Sequence, residues 1–167
     1  AIAMVLHANL VIGADGSTTK LGSSKGLSSV VDRQRFHALR SKAQALIIGG
    51  NTARNEPYLK TELPLFVISR QKEIAEIAAN PLAKILNQDP ITAVADLKNQ
   101  YTTMLLFEGG AELLNEIIKL VDVLHITLSG QSGDGQRISF DGLTRDFVMD
   151  DKEIIVDDTF LTFKRLK

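Results

Sequence analysis

The residues best suited to chemistry in this sequence follow three short apolar segments. After the first segment, residues 45–48, come Gly49, Gly50, Asn51, Thr52, Ala53 and Arg54. Two glycines let a backbone approach a ligand closely, while a hydroxyl, a guanidinium and the free N–H groups of a helix start suit a phosphate. A tight strand-to-helix turn with a solvated arginine would show the same pattern. Phosphate binding and a plain turn both remain open at this point.

A second glycine pair follows the apolar segment 104–107, in the run Glu108-Gly109-Gly110-Ala111. A glycine pair between a strand and a helix suits a pyrophosphate at the helix N-terminus. Glu108 is unusual there, because a carboxylate beside an anion site is costly unless it accepts hydrogen bonds. We therefore expect Glu108 to face a ligand, although complementing the helix dipole is the simpler alternative.

The third apolar segment, residues 65–68, is followed by Ser69 and Arg70. A serine and an arginine at a strand end can hold an isolated phosphate. In a dinucleotide site this would be the 2′-phosphate of NADP, since an NAD site usually places an acid there. For these two residues alone, a surface loop is the simpler interpretation. The three strand ends together predict an anion site of dinucleotide size.

Sequence motifs of several other functional classes are absent. The run Gly133-Asp134-Gly135 fails as G-x-G-x-x-G because Ile138 occupies the last position, and no P-loop, H-E-x-x-H or G-x-S-x-G motif occurs. The chain has no cysteine, which excludes a disulfide scaffold, a cysteine-ligated zinc site and a cysteine nucleophile. With only three widely spaced histidines, we expect no metal site.

Charge and hydropathy exclude further classes. The net charge is −1, which argues against a dedicated nucleic-acid binder. Residues 1–84 hold 11 Lys/Arg and 6 Asp/Glu, a balance of +5, whereas residues 85–167 hold 8 and 14, a balance of −6. The positive half favours phosphorylated ligands, although unequal solvated faces would give the same numbers. No apolar run is long enough for a membrane span and no basic leader precedes the first segment, so we expect a cytoplasmic protein.

Strands and helices alternate along the chain and would position these residues. We predict strands over 1–12, 45–48, 65–68, 104–107 and 123–128, an antiparallel hairpin over 153–167, and helices over 30–43, 71–79, 92–98 and 110–119. Ser29 and Asp32 have capping-box spacing at the first helix, which places Phe36, Leu39 and Ala43 on one face. The prediction is a single α/β domain over 1–167, with a mostly parallel mixed sheet, helices on both faces and the hairpin at one edge.

Four groups of residues occur in an order that is informative as a set. They are Ala14-Asp15-Gly16; Ser28, Ser29, Asp32, Arg33, Phe36, Leu39 and Arg40; Gly49 to Glu56; and Glu108-Gly109-Gly110 with Leu113-Leu114. Their order and spacing, over about residues 9–128, resemble the reductase domain of bacterial riboflavin biosynthesis. The resemblance implies a dihydrofolate-reductase-like fold, a homodimer and NADPH as the cofactor. It also implies a small phosphorylated substrate, a phosphoribosylamino-pyrimidinedione reduced at ribose C1′ to give a ribityl chain.

The resemblance also implies roles for individual residues. Cofactor-binding residues would be Val11 and Gly26 near the nicotinamide, Gly49, Gly50, Thr52 and Arg54 at the phosphates, Ser69 and Arg70 at the 2′-phosphate, and Gly109, Gly110 and Ala111 at the pyrophosphate. Substrate-binding residues would be Ser24, Arg40, Leu59 and Glu108, with Arg40 on the substrate phosphate. The companion deaminase of this family needs cysteine ligands for zinc, so we expect that activity on a separate protein.

The sequence departs from the family pattern at three places. Asn55-Glu56-Pro57 stands where many members have Asp-Asp-Pro, Gly13-Ala14 replaces a serine, and Thr61 and Glu62 occupy the stretch where a substrate-side arginine is expected. Glu56 is then the candidate acid near the nicotinamide. Either Glu56 or a bound water would deliver a proton to the ring oxygen as the sugar opens.

Two alternative functions remain open. Asp32 and Phe36 have the i, i+4 spacing with which dihydrofolate reductases bind a pterin, which makes Asp32 a second candidate catalytic residue. The other alternative is a diverged, non-catalytic nucleotide-binding protein, which the Asn55 departure and the missing arginine would favour.

Overall fold

Eight strands form one sheet in this computed structural model, which describes residues 5–167. The strands are β1 Leu6–Ile12, β2 Ala45–Gly49, β3 Leu65–Ile68, β4 Ala83–Leu86, β5 Leu105–Gly109, β6 Val123–Leu128, β7 Phe147–Ile155 and β8 Asp158–Arg165. The helices are α1 Val30–Arg40, α2 Gly50–Asn55, α3 Pro90–Gln100, α4 Ala111–Ile117 and α5 Phe140–Leu143. Short 3₁₀ turns occur at Ser24–Gly26, Ala75–Ile77 and Ile118–Leu120.

The strand order is β4-β3-β2-β5-β1-β6-β8-β7. The pairs from β4 to β6 are parallel, and β8 pairs antiparallel with both β6 and β7. The predicted fold class is confirmed, including the terminal hairpin at one edge. Because β3, β2 and β5 are parallel neighbours, their carboxyl ends lie at the same edge of the sheet, where ligands bind in this class of fold.

Two apolar clusters cover the two faces of the sheet. Alternate residues of the central strands face opposite sides, so that Ile47 packs with α3 and α4 in one cluster, whereas Leu46 and Ile48 pack in the other. The second cluster includes Ala53 of α2 and packs against Leu39 of α1. Helices on both faces bury the strands fully, which explains why β2 is apolar at every position before its terminal glycine.

Helix α1 begins where the capping residues predict but does not form a full capping box. Ser29 Oγ accepts a hydrogen bond from Asp32 N at 3.0 Å, as an N-cap residue should. The Asp32 carboxylate makes its bonds to other side chains instead. The helix ends at Arg40, three residues before the predicted end, and Phe36 is half-buried beside a cavity rather than in the core.

Three other predictions differ from the structure. The helix predicted over 71–79 is wrong: only the 3₁₀ turn Ala75–Ile77 forms there, and this single turn places Ile74 and Ile77 in the core three residues apart. Strand β4 was not predicted, and β7 begins at Phe147, well before the predicted start at residue 153. Residues 1–4 of the first predicted strand lie outside the described residues. No helix within 5–167 is long and apolar enough to cross a membrane.

Candidate active site

The three predicted strand ends meet at one edge of the sheet. A Cβ atom placed on Gly50 would lie 2.9 Å from Ser69 Oγ, which joins the ends of β2 and β3. A Cβ atom on Gly109 would lie 3.0 Å from Thr52 Oγ1, which joins the ends of β5 and β2. Gly109 has φ +140°, a conformation that side chains rarely allow, and its peptide bond to Gly110 is cis. Glycine is therefore required where the two turns approach each other.

A cleft of about 1070 Å³ opens over these strand ends, and we call it the strand-end cleft. Its volume is slightly above the usual range for small-molecule sites, about 300–1,000 Å³. The predicted residues that line it are Gly49, Gly50, Thr52, Arg54, Glu56, Ser69, Arg70, Gly110 and Ala111. The N-termini of α2 and α4 both begin at its glycine pairs. Exposed N–H groups at two helix starts suit an anionic, elongated ligand.

A second cavity of about 250 Å³, the inner cavity, lies beside the strand-end cleft. Helix α1 contributes Asp32, Phe36 and Arg40 to its lining, at four-residue spacing along one side of the helix. The other predicted residues along it are Val11, Ser24, Thr52, Glu56, Glu108, Gly109, Gly110 and Ala111. The two cavities are neighbours, because they share the lining residues Thr52, Glu56, Gly110 and Ala111. Together they could hold the two reactants of one reaction.

The Glu108 carboxylate is completely buried and is held by two side chains of the protein. Arg40 Nε donates to Oε2 at 3.0 Å and Arg40 Nη2 donates to Oε1 at 2.6 Å, while the Tyr58 hydroxyl donates to Oε1 at 2.7 Å. Burial raises the pKa of Tyr58 well above its usual value, and the Glu108 charge adds to the effect. Burial lowers the pKa of Arg40, but the hydrogen bond and charge of Glu108 outweigh it, so that the net shift is upward.

These contacts change how Glu108 and Arg40 are understood. The sequence predicts that Glu108 accepts hydrogen bonds from a ligand. In the structure Arg40 and Tyr58 donate hydrogen bonds to Glu108 without any ligand. The Arg40 guanidinium also lies over the Phe36 ring, with 4.8 Å from Cζ to the ring centroid. Its side chain is 30% exposed, and the N–H groups not used by Glu108 remain available to a substrate anion.

Asp32 forms a second buried acidic position at the inner cavity. Its Oδ1 accepts from Thr127 Oγ1 at 2.6 Å, and its Oδ2 accepts from Ser28 Oγ at 2.5 Å. Asp32 is only 3% exposed. Two hydroxyl donors thus hold the carboxylate against the cavity wall, where it could accept a hydrogen bond from a heterocycle.

Glu56 links the boundary of the two cavities to the segment before α1. Its Oε1 accepts from Ser23 Oγ at 3.1 Å and from Ser24 N at 2.6 Å. The carboxylate lines both the strand-end cleft and the inner cavity. A group at this boundary is positioned to exchange a proton with a ligand in the inner cavity, directly or through water.

The loop between β1 and α1 forms one wall of both cavities. Thr18 and Thr19 line both spaces, and the Thr18 hydroxyl donates to the Gln136 carbonyl at 2.8 Å. Asp15 accepts from Gly133 N at 3.2 Å, and this bond together with that from Ser17 N lowers the Asp15 pKa. The loop is therefore fastened to residues 133–136 by hydrogen bonds rather than by apolar packing.

A histidine pair lies on β1 and β6, and His125 pairs with Asn9, which lines the inner cavity. His7 Nδ1 and His125 Nε2 are 2.9 Å apart, and the two rings are stacked. Burial lowers the pKa of His125 from 6.5 to about 4, with smaller contributions from His7 and Lys42. His125 is therefore neutral at physiological pH. Within residues 5–167, no group of three or more His, Asp or Glu side chains could hold a metal ion.

Two predicted residues lie away from both cavities. Leu59 is 56% exposed and lines neither space, whereas the preceding residue, Tyr58, reaches the inner cavity. Gly26 also lines neither, and a Cβ atom on it would meet Lys20 Cβ at 2.9 Å. Sequence reasoning missed Tyr58 and Thr127. Spacing alone gave no signal for Tyr58, but a threonine on β6 next to β1 could have been proposed as a partner for Asp32.

Comparisons with known proteins agree with this architecture. The family model described as the RibD C-terminal domain matches residues 5–158. Dihydrofolate reductase from Enterococcus faecalis, complexed with NADP(H) and RAB-propyl, superposes with a TM-score of 0.74 at 15% identity, covering 99% of this chain and 99% of that one. A pyrimidine reductase-like protein from Corynebacterium diphtheriae gives a TM-score of 0.70 at 16% identity, covering 98% and 92%.

A two-function protein is also similar. The diaminohydroxyphosphoribosylaminopyrimidine deaminase/5-amino-6-(5-phosphoribosylamino)uracil reductase from Thermotoga maritima gives a TM-score of 0.67 at 15% identity, covering 98% of this chain but 57% of that one.

No curated protein sequence matches the chain. The family model covers strands β1 to β7 and the residues that line both cavities. The chain therefore belongs to the RibD C-terminal domain family, the reductase domain of riboflavin biosynthesis, and has the dihydrofolate-reductase-like fold.

Proposed function

We propose that the protein is an NADPH-dependent reductase of a phosphoribosylamino-pyrimidinedione, with hydride transfer to ribose C1′. One observation carries the proposal: two glycine-bearing strand ends and Ser69 border a cleft of dinucleotide size, which shares its lining with a smaller cavity. Closely approaching backbone at Gly49, Gly50, Gly109 and Gly110 fits a pyrophosphate. The cofactor, when bound, would supply the hydride.

The protein's own residues would bind and orient the substrate in the inner cavity. The free N–H groups of Arg40 would hold the substrate phosphate while Glu108 keeps the guanidinium in a fixed orientation. Glu56 would hold the proton that the ring oxygen needs as the sugar opens.

A direct assay tests the proposal. The protein is mixed with NADPH and the pyrimidine substrate, and loss of absorbance at the reduced-nicotinamide band is followed. Glu56→Gln should lower kcat by about 10²-fold or more, in the range of a lost general acid. Glu73→Gln, which changes an exposed carboxylate that lines neither cavity, is the matched control. If the wild-type protein consumes no NADPH with this substrate, the proposal is wrong.

A pterin reductase is the second candidate, and the environment of Asp32 favours it. The carboxylate is buried at the inner cavity, held by Ser28 and Thr127, with Phe36 one turn later along α1. A carboxylate beside an aromatic ring can bind the amino and ring N–H groups of a pterin. A folate-competitive inhibitor distinguishes the two candidates. Tight inhibition would favour the pterin, and unchanged turnover would favour the pyrimidine.

A further inference from the structure

Tyr58 is buried beside the inner cavity, and its hydroxyl contacts the acid that orients Arg40. Only 5% of the residue is exposed, and its ring packs in the second apolar cluster. The hydroxyl donates to Glu108 Oε1 at 2.7 Å, the same oxygen to which Arg40 Nη2 donates at 2.6 Å. The positions of Tyr58 and Arg40 are therefore linked through one carboxylate oxygen.

The bonds to Glu108 use one edge of the Arg40 guanidinium and leave another edge for a ligand. Nε and Nη2 lie along the edge that faces the carboxylate. Because the guanidinium is planar and carries five N–H groups, one N–H of Nη1 and one of Nη2 form a second fork that Glu108 does not use. Such a fork matches two oxygens of a phosphate. Since Nη2 belongs to both edges, the direction of the second fork depends on where Glu108 Oε1 lies.

The aromatic ring of Tyr58 also lies near this guanidinium. Arg40 Cζ is 4.8 Å from the centroid of the Phe36 ring and 5.7 Å from that of the Tyr58 ring. Both distances are within the about 6 Å over which a ring attracts a cation. The ring of Tyr58 thus acts on Arg40, whereas its hydroxyl acts on Glu108. Tyr58→Phe therefore removes the second contact and keeps the first.

The backbone of Tyr58 is fixed by a buried amide from the segment before β4. Asn80 Nδ2 donates to the Tyr58 carbonyl at 3.0 Å and to Thr61 Oγ1 at 3.1 Å. Asn80 Oδ1 accepts from Leu82 N at 3.0 Å, and the residue is only 5% exposed. The loop between α2 and β3 is thus held to the start of β4. A backbone fixed in this way keeps the Tyr58 hydroxyl in place before any ligand binds, which reduces the entropy lost on binding.

The Tyr58 hydroxyl remains a donor throughout the physiological pH range. Burial raises the pKa of Tyr58 well above its usual value of 10, and the charge of Glu108 adds to the effect. The phenol is therefore neutral and keeps the proton that it donates to Glu108. The contact that fixes Glu108 Oε1 does not change with pH in the range in which the enzyme would work.

We infer that Tyr58 is a positioning residue: through Glu108 it aims the second fork of Arg40, and it thereby sets how strongly the inner cavity prefers a ligand that carries a phosphate. This inference rests on the proposed function, in which Arg40 holds the substrate phosphate. The role does not require Tyr58 to touch the substrate. It requires that loss of the hydroxyl lets Glu108 Oε1 move and that Arg40 Nη2 moves with it.

Calorimetric titration without cofactor tests the inference with two ligands, the phosphoribosylamino-pyrimidinedione and its dephosphorylated riboside. The wild-type protein should bind the phosphorylated form about 10-fold or more tighter than the riboside. Tyr58→Phe should weaken binding of the phosphorylated form by about 3–10-fold while riboside binding changes little. A general loss of packing would weaken both alike. Tyr101→Phe, the same change at the other tyrosine, which lines neither cavity, is the matched control.

A second measurement needs no ligand. The Nε–H proton of Arg40 donates to a buried carboxylate, so it should exchange with water more slowly than that of an exposed arginine such as Arg33. Heteronuclear NMR spectra measure this exchange, and the Arg40 signal is identified by its loss in Arg40→Met. The exchange should be faster in Tyr58→Phe and unchanged in Tyr101→Phe.

The outcomes separate this inference from the proposed function. If Tyr58→Phe weakens both ligands equally or neither, the inference is wrong and the reductase proposal stands. If the wild-type protein binds neither ligand, the proposed function fails; unchanged Arg40 exchange in Tyr58→Phe would then overturn the inference too, and faster exchange would support it. Circular dichroism shows whether each variant is folded. Should Tyr58→Phe not fold, Arg40 exchange in the wild-type protein as fast as that of Arg33 would overturn the inference, and slow exchange would support it.

Discussion

The buried ion pair between Arg40 and Glu108 should contribute strongly to stability, and Arg40→Met measures it. The variant keeps an apolar stem but removes both donors, so that among residues 5–167 the fully buried carboxylate keeps Tyr58 as its remaining partner. A hydrogen bond to a charged group contributes about 1.5–3 kcal/mol, and breaking a buried pair costs about 3–5 kcal/mol. Because Arg40 is 30% exposed, we expect a loss near the lower limit, about 3 kcal/mol.

Urea unfolding followed by circular dichroism gives this free energy, with Glu108→Gln and the double variant completing a mutant cycle. Lys164→Met is the control, since its ion pair with Asp150 is about half exposed on both sides and should contribute below about 1 kcal/mol. A coupling energy between Arg40 and Glu108 as small as that of the control would refute the reasoning.

Three further predictions follow from local geometry. Gly109→Ala should destabilise the fold by about 1–3 kcal/mol more than Gly22→Ala. Both glycines have positive φ, but only at Gly109 would the new Cβ atom lie 3.0 Å from a hydroxyl oxygen, that of Thr52. Equal losses of the free energy of unfolding in urea would contradict this prediction. Ser29→Ala should cost about 1–2 kcal/mol, because it removes the N-cap bond to Asp32 N, and an unchanged melting curve would disprove it. The unfolded chain takes up a proton near pH 6.5 that folded His125 does not accept until about pH 4. The free energy of unfolding should therefore fall by about 3 kcal/mol as the pH is lowered from 6.5 to 4. In His125→Gln the free energy of unfolding should change less over the same pH range.

Much of the fold could be predicted because the central strands are buried on both faces. Segments such as 45–48 and 65–68 are continuous apolar runs bounded by glycine or polar residues, which is typical of parallel strands. The edge strands lack this signal: β7 is exposed at most positions and carries charged residues in its middle. The segment 71–79 has helical spacing of apolar residues, but one 3₁₀ turn is enough to bury them.

The site was predictable where it depends on strand ends and not where it depends on loop paths. Parallel strands must end at the same edge, so the meeting of Gly50, Ser69 and Gly109 could be expected from their positions alone. The partnership of Tyr58 with Glu108 depends on how the chain returns from α2 to β3, which no local pattern specifies. The resemblance places Leu59 at the substrate, whereas in the structure its neighbour Tyr58 lines the inner cavity.

The two cavities share a wall that is formed by Thr18, Thr19 and Glu56. This shared wall has a thermodynamic consequence. A molecule that moves this wall from one side would change the binding energy of a molecule on the other side. Such coupling is reciprocal: the factor by which the first raises or lowers the dissociation constant of the second must equal the factor in the opposite direction. A ligand in the strand-end cleft and a ligand in the inner cavity should therefore not titrate independently, and the final ternary equilibrium should be the same whichever of them is added first.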